Sequence, residues 1–504
     1  MTHRIKKRWL LTLVLFFFAA VPQTAVTPAA SPQGDEAAKL LVGRELGPTP
    51  MLSDLEELCD RIGGRPTGSE ACDRAVDWAV ARFRAAGVDS VHTESYEIPT
   101  LWLGGKAEAE CLSPAKFPVR LAAAPGSAST AGSKAIEAPL VDAGEGTVED
   151  FARLGAKARG AIVLVRSHEM KTAEDLFGEY MRNGPLVAAA EKAGVKALLL
   201  QSTRPRGLLY RHPISLTEEI VPIPTAIVSR ENAGRLARLA DHGDVRVSLT
   251  LENRIGGAFQ ARNVVAEIRG SEKPDEIVLI GAHLDSWALG TGAEDNGVNA
   301  MMVLDIARGI KALGLTPRRT IRFVLFTGEE QGMLGSAAYV REHANEMDNH
   351  VATITFDTGS GRTKGFDLNG RPELRPAIRE ALRPVAGFAH LELSDEALDG
   401  TDNFDFLLSG VPNLVADQDW DPYLPNYHAE SDTFGMVDQR NAKLNAAIAA
   451  AVVWDLANQP GRPGPRLTRE QVEQELRQTG LDQQMKGLGQ WDDWESGRRG
   501  ASKQ

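Results

Sequence analysis

Cysteine is scarce in this chain of 504 residues: only Cys59, Cys72 and Cys111 occur. Three thiols exclude a disulfide scaffold and a cysteine-rich zinc module. In an oxidising compartment Cys59 and Cys72 could pair and leave Cys111 odd, a choice the sequence leaves open. Basic residues are also outnumbered, 56 against 68 acids, for a formal net charge of −12. That balance argues against nucleic-acid binding and for solubility. Beyond the amino terminus, no stretch reaches the ~18 apolar residues a membrane-spanning helix needs. Nor is there an internal repeat. What is present is 43% hydrophobic and 25% charged residues, enough for packed cores and too apolar for wholesale disorder. At roughly 100–200 residues per domain, the length predicts several domains.

The amino terminus reads as an export signal. Arg4, Lys6, Lys7 and Arg8 precede an apolar run from Leu10 to Val21 broken only by Thr12, and small residues follow from Gln23 to Ala30. Residues 1–30 are therefore expected to be a secretory signal peptide, with an uncleaved anchor as the alternative. The mature chain is expected to be secreted or periplasmic and free of the membrane.

Helical spacing over Asp54–Ile62 and Ser69–Ala86 opens the first part of a domain, residues 31–113, which also carries a strand over Val91–Ile98. From 114 to 252 short apolar runs (Gly160–Val165, Ala197–Leu200, Thr225–Val228) alternate with Gly- and Ala-rich stretches, and Pro185–Ala193 reads as a helix. This block is expected to be a separate, smaller domain. Between 253 and 460 strands and helices alternate regularly. Strands are expected at Ile277–Ile280, Thr320–Phe326, Val351–Phe356 and Asn413–Ala416, and helices at Val298–Leu313, Met333–His343 and Ala442–Leu456. That alternation predicts an α/β fold with a mostly parallel, mixed sheet flanked by helices. The polar tail, 461–504, is expected to be a loosely attached helix or a disordered extension.

Acids and histidines follow the expected strands. Ile277–Ile280 leads into His283 and Asp285, Thr320–Phe326 into Glu329 and Glu330, and Val351–Phe356 into Asp357. His428 lies in the loop after the fourth strand, and Asp295 sits where the long helix begins. Open α/β sheets gather ligands at the carboxyl ends of their strands, so these groups should converge. Taken singly, each has an ordinary reading as a surface pair, turn residue or helix cap. Together, imidazoles and carboxylates without thiolates suit zinc or another divalent transition metal. Their number suits two metals sharing a bridging carboxylate. Asp285 is spaced to orient His283. Of the adjacent Glu329 and Glu330, one can bind metal while the other faces a water as general base.

The run from His283 to Asp295, Gly-Glu-Glu-Gln-Gly at 328–332, Phe356-Asp357 and the His428 loop resemble the co-catalytic zinc peptidases of the aminopeptidase S and Y type. Within them, His283-Leu284-Asp285-Ser286-Trp287 and Asp432-Thr433 resemble the carboxypeptidase Q branch. The resemblance spans about residues 50–460 and implies a zinc aminopeptidase-like fold in which 114–252 is an inserted protease-associated domain. It implies two zinc ions, one on His283 and Asp357 and the other on Glu330 and His428, bridged by Asp295. Glu329 becomes the catalytic base and Asp285 the orienter. Short peptides become the substrates of an exopeptidase, a homodimer the assembly, and Asp295–Asn296 a cis peptide bond. Asn296 departs from the Asp usual in that branch. Asp402, Asn403 and Tyr423 are candidates for holding the substrate. A one-zinc glutaminyl cyclase and a non-catalytic receptor-like ectodomain are the competing expectations. The first should lack the His283-type ligand, and the second should have lost ligands that this sequence keeps.

Overall fold

The computed structural model describes residue 1 and residues 34–500, apart from 131, 133, 217 and 218. The expected signal peptide falls outside the described residues. Among the described residues, no helix is long and apolar enough to cross a membrane.

The strands Lys273–His283 (from Ile277 on), Arg319–Phe326 and His350–Thr355 are buried at every position, with no alternation. Strands buried on both faces belong at the centre of a parallel sheet. Here the first pairs in parallel with the other two, and His350–Thr355 pairs in parallel with Asn413–Gln418. Antiparallel strands extend both edges. The full order is Ser90–Ile98, Phe259–Ile268, Arg319–Phe326, Lys273–His283, His350–Thr355, Asn413–Gln418, Thr363–Asp367, Glu392–Ser394. The sheet is thus mixed with a parallel centre, the class the alternating pattern predicts.

Side-chain alternation divides the two faces. Val278, Ile280 and Ala282 pack into one core with the helices Val298–Ala312, Gln439–Asn458 and Glu70–Ala86. Ile277 and Leu279 point the other way, toward Tyr339 and Val340 of the helix Leu334–Glu342 and toward Phe406. The helix Glu70–Ala86 is bounded as its sequence suggests. Ser69 caps its first turn by accepting from the Cys72 N–H, and Gly87 ends it in the left-handed conformation. A further helix, Asp35–Leu46, buries Ala37, Ala38, Leu41 and Val42 in the same core.

A second mixed sheet runs in the order Phe117–Val119, Leu101–Ser113, Val245–Gly256, Ile136–Asp142, Ile162–Val165, Ala197–Gln201, Thr225–Val228, Leu121–Ala123. It reaches beyond both ends of the 114–252 block because Leu101–Ser113 pairs along its length with Val245–Gly256. Ile162 and Leu164 face the helix Arg230–His242, while Val163 and Val165 face the helix Ala173–Ala193.

Two expectations are corrected. The helix read as Pro185–Ala193 begins at Ala173, where Thr172 and Asp175 form a reciprocal capping box, and Pro185 lies inside it. Gly178, Gly184 and Pro185 dilute the apolar period and hid the first half. The tail is neither loose nor disordered over its described length. It forms helices Arg469–Thr479, Leu481–Leu488 and Trp491–Ser496, whose Val472, Leu476, Leu481, Met485, Trp491 and Trp494 pack on Met333, Phe404 and Leu408. Few apolar residues serve, but they recur at helical spacing. All three cysteines are free and buried.

Candidate metal centre

Strand register brings the candidate ligands level. His283 lies opposite Phe326 across one parallel pair, and Gly281 opposite Thr355 across the other. Two residues beyond that second pair, His283 and Asp357 stand side by side, with Nε2 3.0 Å from Oδ1. The Glu329–Glu330 loop leaves the neighbouring strand at the same level, and His283 Nε2 is 3.8 Å from a Glu329 oxygen.

Asp295 lies at the centre. Its Oδ1 is 3.2 Å from His283 Nε2, and its Oδ2 is 3.3 Å from His428 Nε2. His428 Nε2 is also 2.8 Å from Glu330 Oε2. Two overlapping groups result, one of His283, Asp295 and Glu330 and one of His283, Glu329 and Asp357, with candidate ligand atoms within 4.8 Å of one another in each. His283, Asp295, Glu330 and His428 are all buried.

These contacts are close without being hydrogen bonds. Asp295 Oδ2, both Glu330 oxygens, Asp357 Oδ1 and His428 Nδ1 are buried and lack a hydrogen-bond partner. Leaving such groups orphaned is costly, and burying several carboxylates together costs more. The pKa directions express the same tension. Burial raises the Glu329 carboxyl well above its ordinary value, with Asp357, Asp402 and Glu330 adding to the rise and His283 opposing it. Glu330 is raised by burial and by Asp295, and Asp357 by burial. Asp295 goes down despite burial, because both histidines and the Tyr423 hydroxyl favour its anion. His428 is lowered to about 4 by burial. A donor set of two imidazoles and three carboxylates, close but unbonded, is what one or two divalent cations would satisfy.

Outer contacts fix these candidate ligands. His283 Nδ1 donates to the backbone carbonyl of Asp285 at 3.1 Å, with the Asp285 carboxylate at 3.6 Å. That carboxylate accepts instead from the Thr67 hydroxyl (2.8 Å) and the Gly328 N–H (3.0 Å), tying three segments together. Asp432 accepts from the N–H groups of Ala293, Glu294 and Asp295 at 2.9, 2.7 and 3.1 Å and so holds the turn that presents Asp295. The Asp295–Asn296 peptide is cis. Asn296 in turn donates to the Phe356 carbonyl at 2.9 Å, beside Asp357.

Of the substrate-site candidates, Asp402 is fully buried with both oxygens unpartnered, and burial raises its carboxyl well above the ordinary value. Tyr423 is buried beside Asp295, and its hydroxyl favours the Asp295 anion. Asn403 stands apart from both. Its amide donates to Leu398 O at 3.0 Å within its own loop and to Asn369, just after the strand Thr363–Asp367, at 3.3 Å.

Several neighbours escape sequence reasoning. Arg65, fully buried, donates to the carbonyls of Leu284, Thr291 (2.7 Å) and Gly292 (2.8 Å), bracing the loop between His283 and Asp295. At Gly64 a Cβ would lie 2.6 Å from Ala288 Cα, so glycine is needed for the two loops to meet. The only signal was the Gly63–Gly68 run, whose Arg and Thr sit among turn residues. From the second sheet, Arg211 N–H donates to His428 O at 3.0 Å and His212 packs against Tyr180 and His428. Nothing in the sequence pairs those positions. Trp102, Ile220 and Pro213 from that side, with Trp287, Gln331 and Glu330 from the other, line a cavity beside the cluster.

Fold and site define an α/β protein with a carboxylate–histidine centre at the carboxyl ends of its central strands. Residues 263–453 match the description of peptidase family M28. Carboxypeptidase Q of Xenopus laevis is 31% identical over 409 residues, covering 79% of this chain and 84% of its own length. Aminopeptidase YwaD of Bacillus subtilis is 26% identical over 427 residues, 82% of this chain and 85% of its own. The crystal structure of a peptidase M28 precursor from Shewanella amazonensis superposes with a TM-score of 0.77 at 29% identity, over 86% of this chain and 99% of that one. A zinc aminopeptidase from Bacillus subtilis shares the fold, with a TM-score of 0.65 at 22% identity over 83% and 97%. The chain belongs to peptidase family M28 and is a peptidase.

Proposed function

We propose that this protein is an exported di-zinc exopeptidase that hydrolyses dipeptides or short peptides, with Glu329 as general base. One observation carries the two-ion reading. The two oxygens of Asp295 face different histidines, at 3.2 and 3.3 Å, and each histidine has a carboxylate of its own, Asp357 or Glu330. His283 and Asp357 would hold one zinc, His428 and Glu330 the other, with Asp295 available to both.

When bound, the two ions polarise a peptide carbonyl and lower the pKa of a water toward neutrality. Glu329 is the freer of the two glutamates, its side chain 13% exposed against 1% for Glu330. It takes the proton from the attacking water and returns it to the leaving amine. Asp285, through its carbonyl, fixes the His283 tautomer with Nε2 toward the ions. Asp402 and Tyr423, buried beside the cluster near Glu329 and Asp295, are the residues assigned to hold the substrate. The second sheet, in this reading, is the inserted protease-associated domain, and it narrows access to short peptides.

The test is metal analysis joined to a substrate panel. Two zinc ions per chain are expected, with cleavage of free dipeptides and little cleavage of end-blocked ones. A single ion with no peptide cleavage would favour the glutaminyl cyclase reading, and cleavage in the middle of long peptides would remove the exopeptidase assignment.

A further inference from the structure

The turn after Glu329 and Glu330 is held from outside the catalytic sheet. The N–H groups of Gly332 and Met333 both donate to the Glu329 carbonyl at 2.8 Å, closing a tight reversal directly behind the two glutamates. The reversal needs unusual backbone: Gly332 has φ 111° and Met333, not a glycine, has φ 60°. A non-glycine residue in the left-handed region persists only where its surroundings enforce it. Arg499, at the far end of the tail, supplies that enforcement. Its Nη2 donates to Gly332 O at 2.7 Å and to Met333 O at 3.2 Å. The same guanidinium pairs with Asp405, Nε to Oδ1 and Nη2 to Oδ2, each at 3.2 Å.

Both partners are desolvated. Asp405 is fully buried and Arg499 is 9% exposed. Ser336, in the helix that follows the turn, adds a 3.3 Å hydroxyl bond to the same carboxylate. Trp491 and Trp494 pack with Met333, Phe404 and Leu408, which presses the tail helices onto the turn. Removing the guanidinium would leave the Gly332 carbonyl without its donor and the buried Asp405 carboxylate without its counter-charge, held by the Ser336 hydroxyl alone. Arg499 lies beyond the 263–453 stretch that matches the family.

We propose that the tail helices act as a clasp, with Arg499 a positioning residue that sets the Glu329–Glu330 turn through Gly332, Met333 and Asp405. The functional part of this inference rests on the two-zinc reading of the site. The clasp itself does not.

The experiment compares R499A, R499K and R469A in the full chain loaded with zinc. Arg469 stacks on the Trp494 ring at 3.7 Å, so R469A loosens the packing of the tail while leaving the Arg499 guanidinium in place. R499A should lose about 10–100-fold in kcat or in zinc affinity, the usual range for a support behind a metal ligand, with KM nearly unchanged. Hydrogen exchange in residues 328–334 should accelerate. R499K, which has one ammonium in place of the fork, should recover part of the loss, and R469A, which keeps the Arg499 contacts, should lose less kcat than R499A. Parental kcat, zinc affinity and exchange in R499A would overturn the clasp, as would an equal loss in R469A or a change in KM alone. If R499A does not fold, parental kcat and exchange in R499K overturn it. A parent chain that binds no zinc and cleaves no peptide defeats the reading of the site, whereas unchanged exchange at 328–334 defeats the clasp whatever the parent does.

Discussion

Glu329 and Glu330 are neighbours in sequence with different surroundings. Glu330 is packed against His428 and Asp295, while Glu329 reaches past His283 toward the open side of the cluster. Glu329→Gln keeps the shape but cannot carry a proton. It should bind two zinc ions, retain the parental melting temperature and lose about 10²-fold or more in kcat, as removal of a general base does. Steady-state kinetics with metal analysis on the same sample check it. His428→Ala removes the imidazole that Glu330 and Asp295 share, so one zinc should be lost and the other kept. Two ions per chain in that variant would refute the pairing. Of the candidates read at this scale, Asn403 was misled by its neighbour: it adjoins Asp402 in sequence but turns its amide into its own loop.

Among the elements, the strand His350–Thr355 opens on a histidine whose two nitrogens are bonded, Nε2 to the Tyr339 hydroxyl and Nδ1 to the Glu346 carbonyl, both at 3.0 Å. Burial lowers its pKa from 6.5 to about 4, with nearby Arg322 adding to the effect and the Glu346 carbonyl opposing it. Between those two values the unfolded chain takes up a proton that the fold refuses, so this site's stability is present above pH 6.5 and lost as pH falls toward 4. The full shift corresponds to about 3 kcal/mol. His350→Asn should therefore lose less stability than the parent between pH 6.5 and 4, read from melting temperatures across that range. Element boundaries were legible where caps are strong, as at Ser69 and Gly87, because such signals are local. They failed at Ala173, where Gly and Pro interrupt the period, and in the tail, where a polar composition concealed Val472, Leu476, Trp491 and Trp494.

For the molecule as a whole, the cluster stores repulsion that a cation relieves. Burial raises the carboxyls of Glu329, Glu330 and Asp357, and each also feels a neighbouring carboxylate. Chelation should lower the melting temperature, and zinc should restore it in a concentration-dependent way, by about 2.7 kcal/mol at a hundredfold excess over Kd. A melting temperature indifferent to zinc would count against a metal at this centre. That these side chains meet was readable from sequence because a parallel strand delivers its next residues to one edge of the sheet, so His283, Glu329, Glu330 and Asp357 announce their meeting place by following apolar runs. Their partners were not readable. Arg65 contacts carbonyls more than two hundred residues away, Asp432 holds a turn by its N–H groups, and Arg499 reaches the Glu329 turn from the far end of the chain. Local pattern thus determined the central strands, the helices with an unbroken apolar period and which acids and histidines would meet. Only the tertiary structure decided which histidine faces which oxygen of Asp295, because that depends on how distant loops meet, and what braces those loops, because the braces join side chains to backbone groups that carry no residue-specific signature.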